Sequence, residues 1–178
     1  MPVYFFTYHA YRSWMPDHKR GFVQKGKRYQ PPNPSLANAY NNAASFPPFE
    51  FDHHIQRFII EVVHDVCQRR AWRHHGSGTE PTHLHSLVSW RDATRWQDVC
   101  GKIRNIISLQ LSKRFNHKGR RWLVEDSSRR RVKDQEHFDY LVEKYIPKHG
   151  GWRWIEERGW YSPGSATPAS RRGLPGSE

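Results

Sequence analysis

Cysteine is nearly absent from this chain of 178 residues, with only Cys67 and Cys100, far apart. Neither has a partner thiol at ligand spacing, which argues against a cysteine-built zinc site and against a disulfide framework. Each falls inside a helical pattern and is expected in the core. Long apolar runs are missing too, so no stretch reads as a membrane-spanning helix. No leader-like segment opens the chain, and a reducing, cytoplasmic setting is the expectation. There is no internal repeat. Acidic residues are outnumbered, 17 against 29 Lys and Arg, leaving a formal charge of +12. That excess says little about fold, but it favours a polyanion as partner, and nucleic acid is the commonest one.

What is plentiful is aromatic and imidazole. Aromatic residues make up 14 % of the chain, with eight Trp and eight Tyr, and there are 12 histidines. Rings that stack on bases, beside cations that hold phosphates, suit single-stranded nucleic acid. Rings that fill a core are the plainer alternative.

The opening "VYFFTYHAYRSW" is β-branched and aromatic and predicts a strand. A Pro- and Asn-rich stretch follows, expected as a long loop at about 24–51, with a short strand near Arg20–Val23. In "DHHIQRFIIEVVHDVCQRR", Ile55, Phe58, Ile59, Val62 and Val66 recur at helical spacing behind Asp52 as N-cap. "AWRHHGSGTEPTHLHSLVSW" predicts a hairpin. A second helix carries Trp96, Val99, Cys100, Ile103, Ile106 and Ile107 inward. "NHKGRRWLVED" predicts a turn and a strand, and "DQEHFDYLVEKYI" a third helix that stops near Pro147. The order β, α, β, β, α, β, α predicts an α+β fold. It is a ferredoxin-like antiparallel sheet with two helices on one face and a third, C-terminal helix near the free face. Residues 1–155 are expected to form one domain, and 156–178 a disordered tail.

His83 and His85 stand two apart in "THLHSLVSW". In so histidine-rich a chain, chance alone gives roughly 0.7 such pairs, so the spacing carries little. On a strand, however, both rings point to one side and Leu84 and Val88 to the other. That geometry suits two ligands of one cation, or a pair of surface histidines on an open sheet. The doublets His53–His54, opening a helix, and His74–His75, before a turn, are poorer ligand candidates, since adjacent strand residues point oppositely and do not easily share a metal; both are expected at the surface or facing DNA. On the third helix, Phe138, Leu141, Val142 and Tyr145 share an apolar face, so Tyr145 is expected in the core. Tyr140 lies on the other side with Glu136, His137 and Glu143. From there Glu136 or Glu143 can complete the shell of an ion, and Tyr140 can reach a bound phosphate, unless its ring is merely solvent-exposed. A phenolate attacks phosphorus once a cation draws charge from the phosphate oxygens.

Three stretches together resemble the HUH single-tyrosine transposases, and among them the REP-associated tyrosine transposases. They are "TYHAYRSWMPDHKRGFV", then "CQRRAW" through "THLHSLVSW", and "VKDQEHFDYLVEKYIPKHGG", spanning most of residues 1–155. The resemblance implies a nickase and strand transferase for single-stranded or hairpin DNA, acting as a monomer or homodimer. It implies Mg²⁺ or Mn²⁺ on His83 and His85, and a tyrosine that leaves a 5′-phosphotyrosine and a free 3′-hydroxyl. One position departs from the family: where its tyrosine precedes the last helix, this chain has Ser127 and Ser128. Tyr140, or else Tyr145, then takes that role from within the helix, or one of the two serines attacks, although no activating base for it is evident. The alternative is a module that has lost the nucleophile and only binds single-stranded nucleic acid. A phosphodiesterase using water as nucleophile is a third option. The run Arg129, Arg130, Arg131 and Lys133 beside the expected site is a clamp for the DNA backbone, or else a solvated basic face.

Overall fold

A computed structural model of the chain describes residues 1–23, 27, 29–125 and 127–165. The first strand, β1 (Val3–His9), is the spine of a six-stranded sheet. A two-stranded ribbon follows, β2 (Phe22–Val23) with β3 (Tyr29–Gln30), as the sequence suggests near residue 22. The expected long loop also contains a helix, α1 (Pro34–Asn42). Asn33 caps it by accepting from the Leu36 amide at 2.9 Å, and Pro34 stands where a missing N–H costs nothing. Next come α2 (His53–Arg69), capped by Asp52 as expected, and the hairpin β4 (Arg73–Glu80) and β5 (His83–Ser89). Then come α3 (Trp96–Arg114), β6 (Ser128–Arg131) and the short α4 (Gln135–Tyr140). Two strands close the described chain, β7 (Arg153–Ile155) and β8 (Gly159–Tyr161).

The strand order is β6-β1-β5-β4-β7-β8, with every pairing antiparallel. The first four in that order reproduce the ferredoxin-like arrangement expected from the sequence. Two details differ. The edge beside β1 is the basic run Ser128–Arg131, whereas the expected strand near Leu123 makes only one bridge, to Ala10. The sheet also extends past residue 155: β8 lies in the stretch assigned to the tail, held by Trp160 opposite Trp154. The rest of that tail, residues 166–178, lies outside the described residues.

One sheet face carries α2 and α3 over the main core, which includes Phe6, Tyr8, Ile59, Leu84, Val88, Ile103 and Leu111. Cys67 and Cys100 are buried there as free thiols. On the other face Phe5, Leu87, Leu141, Ile146 and Ile155 form a smaller cluster under the third helix. That placement of the third helix is the one the sequence predicts.

His74 and His75 are corrected by the structure: they lie inside β4 and are both buried. Strand alternation sends the two rings to opposite faces, and the bulge after His74 brings Ser77, three residues on, to the His74 side. His74 Nε2 meets Ser77 Oγ at 2.7 Å, and Ser77 Oγ meets Ser86 Oγ at 2.8 Å. This chain satisfies Ser86, the polar residue that interrupts the apolar pattern of β5.

Candidate metal centre and its surroundings

The register places His9, Thr7 and Phe5 of β1 opposite His83, His85 and Leu87 of β5, on the face away from α2 and α3. His83 and His85 therefore point to one side, as their spacing predicts, with ring centroids 4.7 Å apart. The third member of the group is His149, which the sequence reading does not select. One ligating atom from each of His83, His85 and His149 lies within 4.8 Å of the other two. Glu136 is not in this group. It lines a surface depression with Arg130, Lys133, Asp134, His137 and Tyr140.

His149 arrives because the third helix changes its winding. After α4, residues Leu141–Tyr145 form a π turn and Ile146–Lys148 a 3₁₀ turn. Pro147 has no N–H to continue the α ladder, so the regular helix ends here. His149 leaves in extended conformation. Its ring lies over Gly78 of β4, where an added Cβ would meet His149 Nδ1 at 3.0 Å. A bare Cα on β4 is thus part of the site.

Each Nδ1 of the triad is already engaged. His85 Nδ1 meets Thr7 Oγ1 at 2.8 Å and His83 Nδ1 meets Thr82 Oγ1 at 2.9 Å. His149 Nδ1 faces the carbonyls of Tyr145 and Ile146 at 3.0 and 3.1 Å. Carbonyls only accept, so His149 carries its proton on Nδ1 and keeps the Nε2 lone pair for a ligand. At His83 and His85 the same tautomer would donate to the two threonines and leave Nε2 free. Such outer partners fix ring orientation in metal sites. Burial, with neighbouring histidines adding to it, pushes His85 down to about 2 and His83 to about 4. Burial lowers His149 and His9 too. All four rings are neutral at pH 7, the ligating form. Three neutral imidazoles with free Nε2 atoms fit a divalent ion.

The two candidate tyrosines sit differently. Tyr145 is half-buried, with its ring centroid 5.4 Å from both His85 and His149 and edge-on to Phe5. It also packs on the smaller core, as the sequence suggests. Tyr140 is 54 % exposed and touches Tyr145, with centroids 6.3 Å apart. An α-helical wheel separates residues five apart, whereas an i→i+5 turn brings them toward one side. The π turn is therefore the local reason that both rings line the same approach.

The basic run divides by strand alternation. Arg130 pairs with Phe5 and shares the histidine face, while Arg129 and Arg131 pair with Phe6 and Tyr4 and face the other way. Arg129 lies 3.8 Å over the Trp96 ring. Ser128 is opposite Thr7 at the exposed edge, and the Ser127 hydroxyl is buried against the Cys100 thiol. His53 and His54 are exposed, as expected. No helix among the described residues is long and apolar enough to cross a membrane.

No family model matches the chain, and no curated protein does. In structure it is similar to several solved chains, among them these two. One is a REP-associated tyrosine transposase bound to a REP hairpin, from the group that the sequence resembles. Identity is 11 % over 82 % of this chain and 64 % of that one, with a TM-score of 0.46. The other is a candidate transposase from Deinococcus radiodurans R1, 10 % identical over 82 % of this chain and 89 % of that one, with a TM-score of 0.43. The chain thus spans just under two thirds of the first relative. Similarity of this degree leaves the activity to the site's own geometry.

Proposed function

We propose that the protein cleaves and rejoins single-stranded DNA at hairpins or repeats, with Tyr145 as the attacking group. The observation that carries this reading is the Tyr145 ring set against His85 and His149. Tyr140, the sequence-based choice, stands one ring further out and is the alternative nucleophile.

His83, His85 and His149 would hold a divalent ion, which when bound would draw charge from the oxygens of a scissile phosphate. Three imidazoles favour a transition-metal ion over Mg²⁺, which prefers oxygen ligands, so Mn²⁺ is the better fit of the two expected ions. The Tyr145 phenolic oxygen attacks phosphorus and gives up its proton to solvent. The bond from phosphorus to the 3′ oxygen breaks, and that oxygen takes a proton. A 5′-phosphotyrosine remains, and a free 3′-hydroxyl attacks it to rejoin a strand. Nothing is hydrolysed, so no nucleotide cofactor is needed. Arg130 and Lys133, in the depression next to Tyr140, hold the DNA backbone.

The test is a labelled hairpin oligonucleotide incubated with the protein and Mn²⁺, then run on a denaturing gel. A covalent adduct that disappears in Tyr145→Phe and persists in Tyr140→Phe supports the assignment. The reverse pattern moves the role to Tyr140. Cleavage without an adduct indicates water as nucleophile, and binding without cleavage indicates a module that has lost its chemistry.

A further inference from the structure

His149 reaches the triad from an irregular segment, so something must fix that segment. We infer that Gln56, Glu80 and Arg153 are positioning residues that clamp residues 149–152 and so hold His149 in the metal triangle. This rests on the metal site of the proposed function and not on the strand-transfer step.

Three successive amides after His149 are each caught by a different group. Gly150 N–H donates to Glu80 Oε1 at 2.7 Å. Gly151 N–H donates to the Thr79 carbonyl at 3.1 Å. Trp152 N–H donates to Gln56 Oε1 at 3.2 Å. The carbonyl of His149 itself accepts from Arg153 Nη1 at 2.5 Å. The His149 amide donates to the Ile146 carbonyl at 3.2 Å, so all four amides of this stretch are engaged.

Gln56 is the unexpected member. It sits among the apolar residues of α2 and is 1 % exposed. Burying an amide is costly unless it is hydrogen-bonded. Here Nε2 donates to the Phe51 carbonyl at 2.8 Å, and Oε1 also accepts from Thr79 Oγ1 at 3.1 Å. The side chain therefore ties the start of α2, the end of β4 and the amide of Trp152 at one point. The fit is close: a Cβ on Gly151 would lie 2.1 Å from Gln56 Oε1 and 2.4 Å from the Thr79 carbonyl. Glu80 is opposite His83 in the hairpin, so the strand that aligns one ligand also anchors the loop of another.

The experiment is a titration of the metal-free full-length protein with Mn²⁺ and with Co²⁺, followed by electron paramagnetic resonance and visible absorption. Glu80→Ala and Gln56→Leu are expected to weaken binding about ten- to a hundredfold. Glu80→Gln keeps the acceptor and is expected to stay within about threefold of wild type. Because the clamp acts through His149, Glu80→Ala/His149→Ala is expected to bind no worse than His149→Ala alone. Three results overturn the inference: Glu80→Ala and Gln56→Leu binding like wild type, losses that add to that of His149→Ala, or Glu80→Gln as weak as Glu80→Ala. The last would mean that the Glu80 charge acts on the ion directly. Should Gln56→Leu fail to fold, the partly exposed Glu80 series decides alone. A wild-type protein that binds neither ion overturns the metal centre and the clamp together. Normal binding without a DNA adduct overturns only the strand-transfer reading.

Discussion

Lowering the pH to 5 should weaken the metal-free protein sharply, through two buried histidines. Burial holds His74 at about 3 and His85 at about 2, both well below the ordinary value of 6.5. Their depressed folded values mean that an unfolded chain takes up protons at pH 5 that the folded chain refuses. Stability is therefore full above about 6.5 and falls as pH drops toward the folded values. At pH 5, about 1.5 units below the unfolded value, each group costs about 2 kcal/mol, so the pair costs about 4 kcal/mol. Both rings are almost fully buried, so solvent screening takes little away. Against a typical total of about 5–15 kcal/mol this is a large share. It corresponds to a fall in Tm of about 8–16 °C for a chain of this size. The measurement is thermal unfolding of chelator-treated protein between pH 7 and pH 5, with His74→Gln as a variant that cannot titrate and whose fall should be about half as large. A Tm that moves by less than about 3 °C over that range would refute the burial argument.

Other outcomes follow from the same site. Thr7→Val leaves a buried His85 Nδ1 unpaired, so it should cost about 1–3 kcal/mol of stability and lower metal affinity about ten- to a hundredfold, read by denaturation and metal titration. In Gly78→Ala the new Cβ presses on His149 and on the Ile146 carbonyl, so stability should fall by about 1–3 kcal/mol and metal binding should drop toward that of His149→Ala. Arg130→Ala and Lys133→Ala should each weaken DNA binding whatever the sequence and flatten its log–log salt dependence by about 1, seen in filter binding at several salt concentrations. An unchanged slope in both would remove them from the DNA interface.

Much of this was legible before the fold. The aromatic start, the two amphipathic helices and the turn between β4 and β5 have local causes, so their patterns predict them. His83 and His85 share a face because any strand alternates. Three features were hidden for identifiable reasons. The helix Pro34–Asn42 exposes most of its residues and buries only Ala37, so it has little apolar period to show. His74 and His75 read as surface residues because a bulge and two serine partners, Ser77 and Ser89, make their burial tolerable. Strands β7 and β8 are three residues each, too short for alternation to register.

The metal centre divides along the same line. Sequence alone put His83 and His85 on one face of a strand, because backbone alternation is a local property that needs no knowledge of neighbours. Only the tertiary structure decided that His149 joins them and which tyrosine stands beside the three histidines. His149 is 64 positions after His85 and joins it through a π turn, a proline stop and a loop held by α2 and β4. A wheel drawn at α spacing placed Tyr145 with the core and Tyr140 toward the site. The wider turn and the packing under the sheet set Tyr145 against both the core and the histidines. Periodicity fixes which way a side chain points from its own element. Which other side chains it meets depends on contacts between segments distant in the chain, and those exist only once the chain has folded.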